Sequence, residues 1–207
     1  MLKQLQRIAC CALTLAAGGC VTVHSYVETG HDAADFRDLH PRNPPTPVQL
    51  KVSFSVNGSP DQNAQANTVL FNEVVRTLRR TGVLVPVQDP TAPMLQVEVD
   101  DQYDKGIASH NGWISGLSLG SSGSTTRDEY HFNFTLLPHE AGGKPRTALY
   151  THAMITLVGN APPPGYGQPQ DMDQAFAVIV KQSVLEFLHD MEGTDGGEPV
   201  MIVPEDK

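Results

Sequence analysis

The residues whose types and spacing could carry chemistry lie in the middle of the chain. Gly116-Leu117-Ser118-Leu119-Gly120 has the Gly-x-Ser-x-Gly spacing of a nucleophile elbow, in which a serine attacks an acyl carbon while backbone N–H groups hold the oxyanion. That chemistry needs a helix directly after the serine, then an acid and a histidine further along the chain. Ser118 is instead followed by "LGSSGSTTRDEYHF", which has no helix-period apolar face and runs into a strand. Asp128 or Glu129 with His131, His139 or His152 would nominally complete a triad, yet His131 and His152 fall on two strands of one expected hairpin. A catalytic Ser118 is therefore not expected, and the chain is read as non-enzymatic. The same test disposes of a metal. His110, His131, His139 and His152 are scattered without one-turn helical spacing or cysteine partners, and His139-Glu140 opens a zinc motif that lacks its second histidine. No metal and no cofactor are expected.

A different chemistry is written at the start. "MLKQLQRIACCALTLAAGGC" joins a short basic segment (Lys3, Arg7) to an apolar run from Ile8 to Ala17 and two small residues before Cys20. The run is about ten residues, half of the ~20 that a membrane-spanning helix requires. Ala17-Gly18-Gly19-Cys20 resembles the lipobox of bacterial lipoprotein precursors, with one departure, Ala17 where leucine is usual. The resemblance implies cleavage before Cys20, diacylglycerol on its sulfur and acylation of the new amino group. Val21 after the cysteine implies delivery to the outer membrane, facing the periplasm. Cys10 and Cys11 have almost no apolar run before them, and an ordinary signal peptide with an incidental cysteine is the competing reading.

Composition sets the partners. Loss of residues 1–19, with Lys3 and Arg7 but no acidic residue, takes the formal net charge from −9 to −11 and leaves Cys20 as the sole cysteine. Such a surface repels nucleic acid and anionic headgroups, so membrane attachment falls to the lipid. With no disulfide available, the core must come from packing.

The elements that position these residues read in order. Residues 20–47, closing on Pro41, Pro44, Pro45 and Pro47, read as a flexible tether with an end-to-end distance of about 25 to 30 Å. A domain is expected over 48–192. "VQLKVSFSV" alternates as a half-buried strand. A helix follows, with Ser59 as N-cap, Pro60 at its first position, Gln62 closing a capping box, Leu70, Val74 and Leu78 stacked on one face, and Gly82 just past its end. "VLVPV" and "MLQVEVDDQY" are two more strands. "EYHFNFTLL" and "TALYTHAMITLVG" form a hairpin, with Leu149, Thr151, Ala153, Ile155 and Leu157 on one face and Tyr150, His152 and Met154 on the other. A second helix begins near Asp171 and ends at Gly193, leaving a tail over 193–207.

The expected fold is α+β, a mixed and mostly antiparallel sheet of four to six strands with two helices packed on it. This order is similar to the small α/β domains of envelope lipoproteins such as penicillin-binding-protein activators and the curli-secretion lipoprotein, in topology alone. Within the Gly-rich segment the single tryptophan, Trp113, with Ile114, Leu117 and Leu119, is the candidate partner contact; packing into the domain or insertion at the membrane interface are the alternatives. The leading expectation is an envelope lipoprotein that binds another envelope protein or serves an assembly or transport machine. A small-ligand or lipid-binding module with a cavity between sheet and helices is the second.

Overall fold

Alternating side chains in "VQLKVSFSV" and "MLQVEVDDQ" build two adjacent parallel strands, β2 (Thr46–Val56) and β5 (Met94–Gln102), joined through helix α1 (Ala64–Thr81). The computed structural model describes residues 23–28, 34–60, 64–102, 124–140, 143–158 and 167–193. Its other strands are β1 (Val23–Val27), β3 (Ser59–Pro60), β4 (Leu84–Pro86), β6 (Ser124–Leu137) and β7 (Arg146–Val158); helix α2 (Met172–Gly193) completes the fold. The strand order is β1-β7-β6-β5-β2-β3, with β4 also on β2. Only the pairings of β2 with β4 and β5 are parallel.

Successive residues of a strand direct their backbone groups to opposite edges. Thr46 N–H donates to Val83 O and Val48 O accepts from Val87 N–H, whereas Gln49 N–H donates to Pro93 O. The short β4 therefore flanks β2 on the side opposite β5. The α+β fold with two helices on a mostly antiparallel sheet is as expected; the sheet has seven strands among the described residues, the short β1 and β3 being added to the five strands read from the sequence.

Both helices lie on one face of the sheet. Leu70, Val74 and Leu78 of α1, at the expected spacing of four, are fully buried with Ile179, Val184 and Leu188 of α2 against Leu95, Val97, Phe132, Phe134 and Met154. Phe134 of β6 stacks on Phe187 of α2 with ring centroids 4.8 Å apart, so aromatic side chains fill the space between the layers. The expected cavity of a ligand-binding module is occupied at these positions. Gly82 ends α1 with φ +67 and donates to Leu78 O, the left-handed C-cap that its position announces. A Cβ at Gly82 would lie 3.3 Å from Pro41 Cβ, so the close approach also favours glycine.

Two expectations change. The stretch expected as a tether, 20–47, contains β1, which pairs through five residues with β7, and a 3₁₀ turn at Phe36–Asp38; β2 also starts at Thr46, two residues before the expected boundary. Ser25, Tyr26 and Val27 are consecutive buried residues, so β1 lacks the alternation of a half-buried strand. Its polar member is satisfied by Thr156 Oγ1 at 3.3 Å and by a two-way backbone bridge to Gln170. Second, Ser59 and Pro60 do not cap α1. Asn57 and Gly58, with φ of 48 and 73, form a tight turn that folds Ser59 and Pro60 back on β2 as β3, and the helix starts at Ala64. The two faces of β7 separate as expected, and the one under the helices carries Ala148, Tyr150, His152 and Met154. The tail after Gly193 lies outside the described residues.

Candidate functional site

Cys20, Trp113, Ile114, Leu117, Ser118 and Leu119 all lie outside the described residues, as does His110. The fold nevertheless places the chain that leads to them. The segment 103–123 joins the last residue of β5, Gln102, to the first of β6, Ser124. Ser124 and Val23 both pair with Val158, and Gln102 pairs with Glu129 of β6. The entry from Cys20 and both ends of the glycine-rich segment therefore meet at one end of the sheet. His139 sits at the other end, beyond the last residue of β6.

The histidines considered for a triad are separated by the sheet. His131 pairs with Thr151 and Tyr130 with His152, so the two imidazoles project from opposite faces. His152 points under the helices and His131 points away from them. Asp128 shares the helix side with His152, whereas Glu129 lies on the outer face, ion-paired with Arg127 and 3.8 Å from His131 Nε2.

That outer face holds one row of reactive side-chain types. Ser55, Asp100, His131 and Thr151 are cross-strand neighbours on β2, β5, β6 and β7. Ser55 Oγ donates to Asp100 Oδ1 at 2.7 Å, and the Gly58 N–H donates to the same oxygen at 2.8 Å. His131 Nδ1 lies 3.4 Å from Thr151 Oγ1. Burial works to raise the Asp100 pKa and is outweighed by hydrogen bonds from Ser55, Gly58 and Gln102, which keep the carboxyl below its usual range. In a hydrolytic triad the imidazole stands between hydroxyl and carboxylate to take the proton. Here the carboxylate stands between them, so Ser55 is a donor to an anion and has no base. The row serves the β2–β3 turn, which Asp100 anchors through Ser55 and Gly58.

Between β7 and α2 lies a second polar group. Tyr150 Oη donates to Asp190 Oδ2 at 2.6 Å, and His152 Nε2 lies 3.1 Å from Glu186 Oε2. Two strand residues at i and i+2 meet two helix carboxylates at i and i+4, the spacing at which each element presents one face. Burial first, then the Asp190 hydrogen bond, pushes the Tyr150 pKa far above that of a free phenol. Tyr130 is pushed the same way by burial and by the Asp101 and Asp128 charges. The arrangement is mutually satisfied, with His152 buried and Asp190 at its partly exposed edge; it orients α2 on the sheet. Sequence reading had separated Tyr150 and His152 from Leu149 and Thr151 correctly, without showing which set faces the core. The carboxylate pair Glu186 and Asp190, spaced by one helical turn, was the available signal. Among the described residues no group of three or more His, Cys, Asp or Glu is placed to hold a metal ion, and no helix is long and apolar enough to cross a membrane.

No family model matches the chain, and neither does any curated protein. Solved structures similar to it include bacterial lipoproteins. Rare lipoprotein B from Shewanella oneidensis is 14% identical, with 72% of this chain and 96% of that one covered at a TM-score of 0.37. A PelC dodecamer from Paraburkholderia phytofirmans is 15% identical over 81% of this chain and 97% of that one, TM-score 0.35. A minor lipoprotein from Acinetobacter baumannii is 12% identical, with 71% and 88% covered and a TM-score of 0.28.

Proposed function

We propose that this chain is a lipid-anchored lipoprotein of the bacterial outer membrane, facing the periplasm, that acts without catalysis as a protein-binding or accessory subunit of an envelope assembly or transport machine. The observation that carries the reading is the distance from the lipobox to the fold. β1 starts at Val23, so only Val21 and Thr22 separate it from Cys20, a reach of about 10 Å. An acylated Cys20 holds the end of the sheet against the bilayer, where the tether expected from sequence would have let the domain stand off. The glycine-rich segment with Trp113, Ile114, Leu117 and Leu119 leaves the fold at that same end. A partner reached through it is a membrane-proximal one, and the acidic composition argues against nucleic acid as that partner.

Mass spectrometry of the N-terminal peptide from cells tests the anchor. A chain starting at diacylglyceryl Cys20, with Cys20→Ala appearing in the soluble periplasmic fraction, supports it; a mature terminus elsewhere overturns it. Photocrosslinking from position 113, with a site on the outer face of α2 as control, tests the binding role. Capture of a specific envelope protein from position 113 alone is expected. Equal yields from both positions would remove the segment from the interface.

A further inference from the structure

The outer groove between α1 and α2 forms a cleft of about 220 Å³ lined by Phe36, Glu73, Arg76, Thr77, Arg80, Ala177, Val178 and Lys181. Three cations thus converge on one small space in a chain whose formal net charge is −9. Arg76 and Arg80, at i and i+4 on α1, are a like-charge pair that weakens an isolated helix, and Lys181 of α2 adds a third positive group. A helix C-terminus accounts for Arg80 in the last turn of α1. It does not account for Lys181, which lies mid-helix in Met172–Gly193 and is half-buried.

The single carboxylate in the lining is already engaged. Glu73 is buried, accepts from Arg76 Nη1 at 2.8 Å and has Thr77 Oγ1 at 3.5 Å, so it fixes the Arg76 head group. Arg80 lies over the Phe36 ring, 4.1 Å from its centroid, and no carboxylate lies within ion-pair distance of Arg80 or Lys181 among the described residues. Asp35 is near enough to feel Lys181, but it is exposed and bonded to Arg37 at 3.1 Å. The cleft therefore holds two cations without an ion-pair partner and a third already oriented, beside an apolar wall of Phe36, Ala177 and Val178.

We propose that this cleft binds a phosphomonoester group, with Arg80, Lys181 and Arg76 on its oxygens and the adjoining part of the ligand against Phe36, Ala177 and Val178. Guanidinium groups match phosphate bidentately, and lysine adds a point charge. A phosphomonoester, carrying about −1.5 to −2 at neutral pH, suits three converging cations better than a monovalent carboxylate does. The volume is below the roughly 300 Å³ at which sites for drug-sized ligands begin, so the cleft takes a head group rather than a whole large ligand. The proposal does not depend on acylation of Cys20.

The test is calorimetric titration of the full chain in phosphate-free buffer with a neutral detergent, with three probes: glucose 1-phosphate, glucuronate, and phosphatidic acid carried in mixed micelles of the same detergent, with blank titrations of the detergent subtracted. One saturable site per chain is expected for a phosphate probe, at least tenfold weaker in Arg80→Ala and in Lys181→Ala and unchanged in Arg79→Ala, which keeps the same change of net charge outside the cleft. Binding of the soluble sugar phosphate or of the lipid phosphate each supports the proposal and identifies how the group is presented. Glucuronate binding as tightly as glucose 1-phosphate, equal weakening by Arg79→Ala, or no saturable binding to either phosphate probe overturns it. Arg80 and Lys181 are not core residues; Arg80→Gln and Lys181→Gln, checked for unchanged thermal unfolding, separate lost binding from lost fold.

Discussion

His152 Nε2 lies 3.1 Å from Glu186 Oε2 between β7 and α2. The imidazole is buried, 4% exposed, and also meets the Phe132 ring edge-on with centroids 6.0 Å apart. Removing it takes away packing and leaves a mostly buried carboxylate short of a partner. His152→Ala is expected to cost about 2 to 3 kcal/mol, read as a lower urea midpoint with unchanged slope. A loss under about 1 kcal/mol would mean that Glu186 is satisfied without His152.

Tyr130 and Tyr150 give the fold an alkaline limit. Both hydroxyls are held protonated far above the ordinary phenol value of 10.0, by burial first and by neighbouring carboxylates second. In the unfolded chain they ionise near that ordinary value, so the unfolded state sheds protons that the native state keeps. Stability from this source is complete below about pH 10 and falls as pH rises beyond it. Unfolding followed from pH 8 to 11 is expected to show this decline, with a shallower slope in Tyr150→Phe. A slope unaltered by that change would assign the alkaline loss to other groups.

Asp128 acts with the same sign in an acidic window. Burial on the helix side of β6 raises its carboxyl above the usual 3.8. Between the unfolded and folded pKa values the native state binds more protons, so stability is fully present at low pH and declines as pH rises through the folded value. Asp128→Asn removes this loss and is expected to raise the melting temperature at pH 7 more than at pH 3.5. Equal shifts at both pH values would show that charge at Asp128 is not what costs stability.

How much of this was legible depends on how each element meets the core. α1 and α2 were readable because Leu70, Val74 and Leu78, and Phe176 through Met191, repeat at helical spacing and are stopped by Gly82 and Gly193. β2, β5 and β6 were readable because one face is apolar and the other polar. β7 was legible in its alternation but not in its orientation: its core face carries Tyr150 and His152, whose polar atoms find Asp190 and Glu186 across the layer, which no local pattern records. β1 was invisible because Ser25 is buried and satisfied by partners more than 130 residues away in sequence, which no local pattern records. The cationic cleft was equally hidden. Arg76 and Arg80 had a sufficient local explanation in the end of their helix, and only the packing of α2 and of the 3₁₀ turn at Phe36–Asp38 brings Lys181 and Phe36 beside them.

The pairing of Val23 with Val158 also sets an order of assembly. An edge strand whose partner is among the last strands made closes a long loop, so its docking waits on nearly the whole chain. Until Arg146–Val158 has emerged and paired with β6, Val23–Val27 has no strand to pair with. Under the proposed function, processing at Cys20 can then precede closure of the sheet, and β1 docks on β7 as the last step, with the chain already attached to the bilayer.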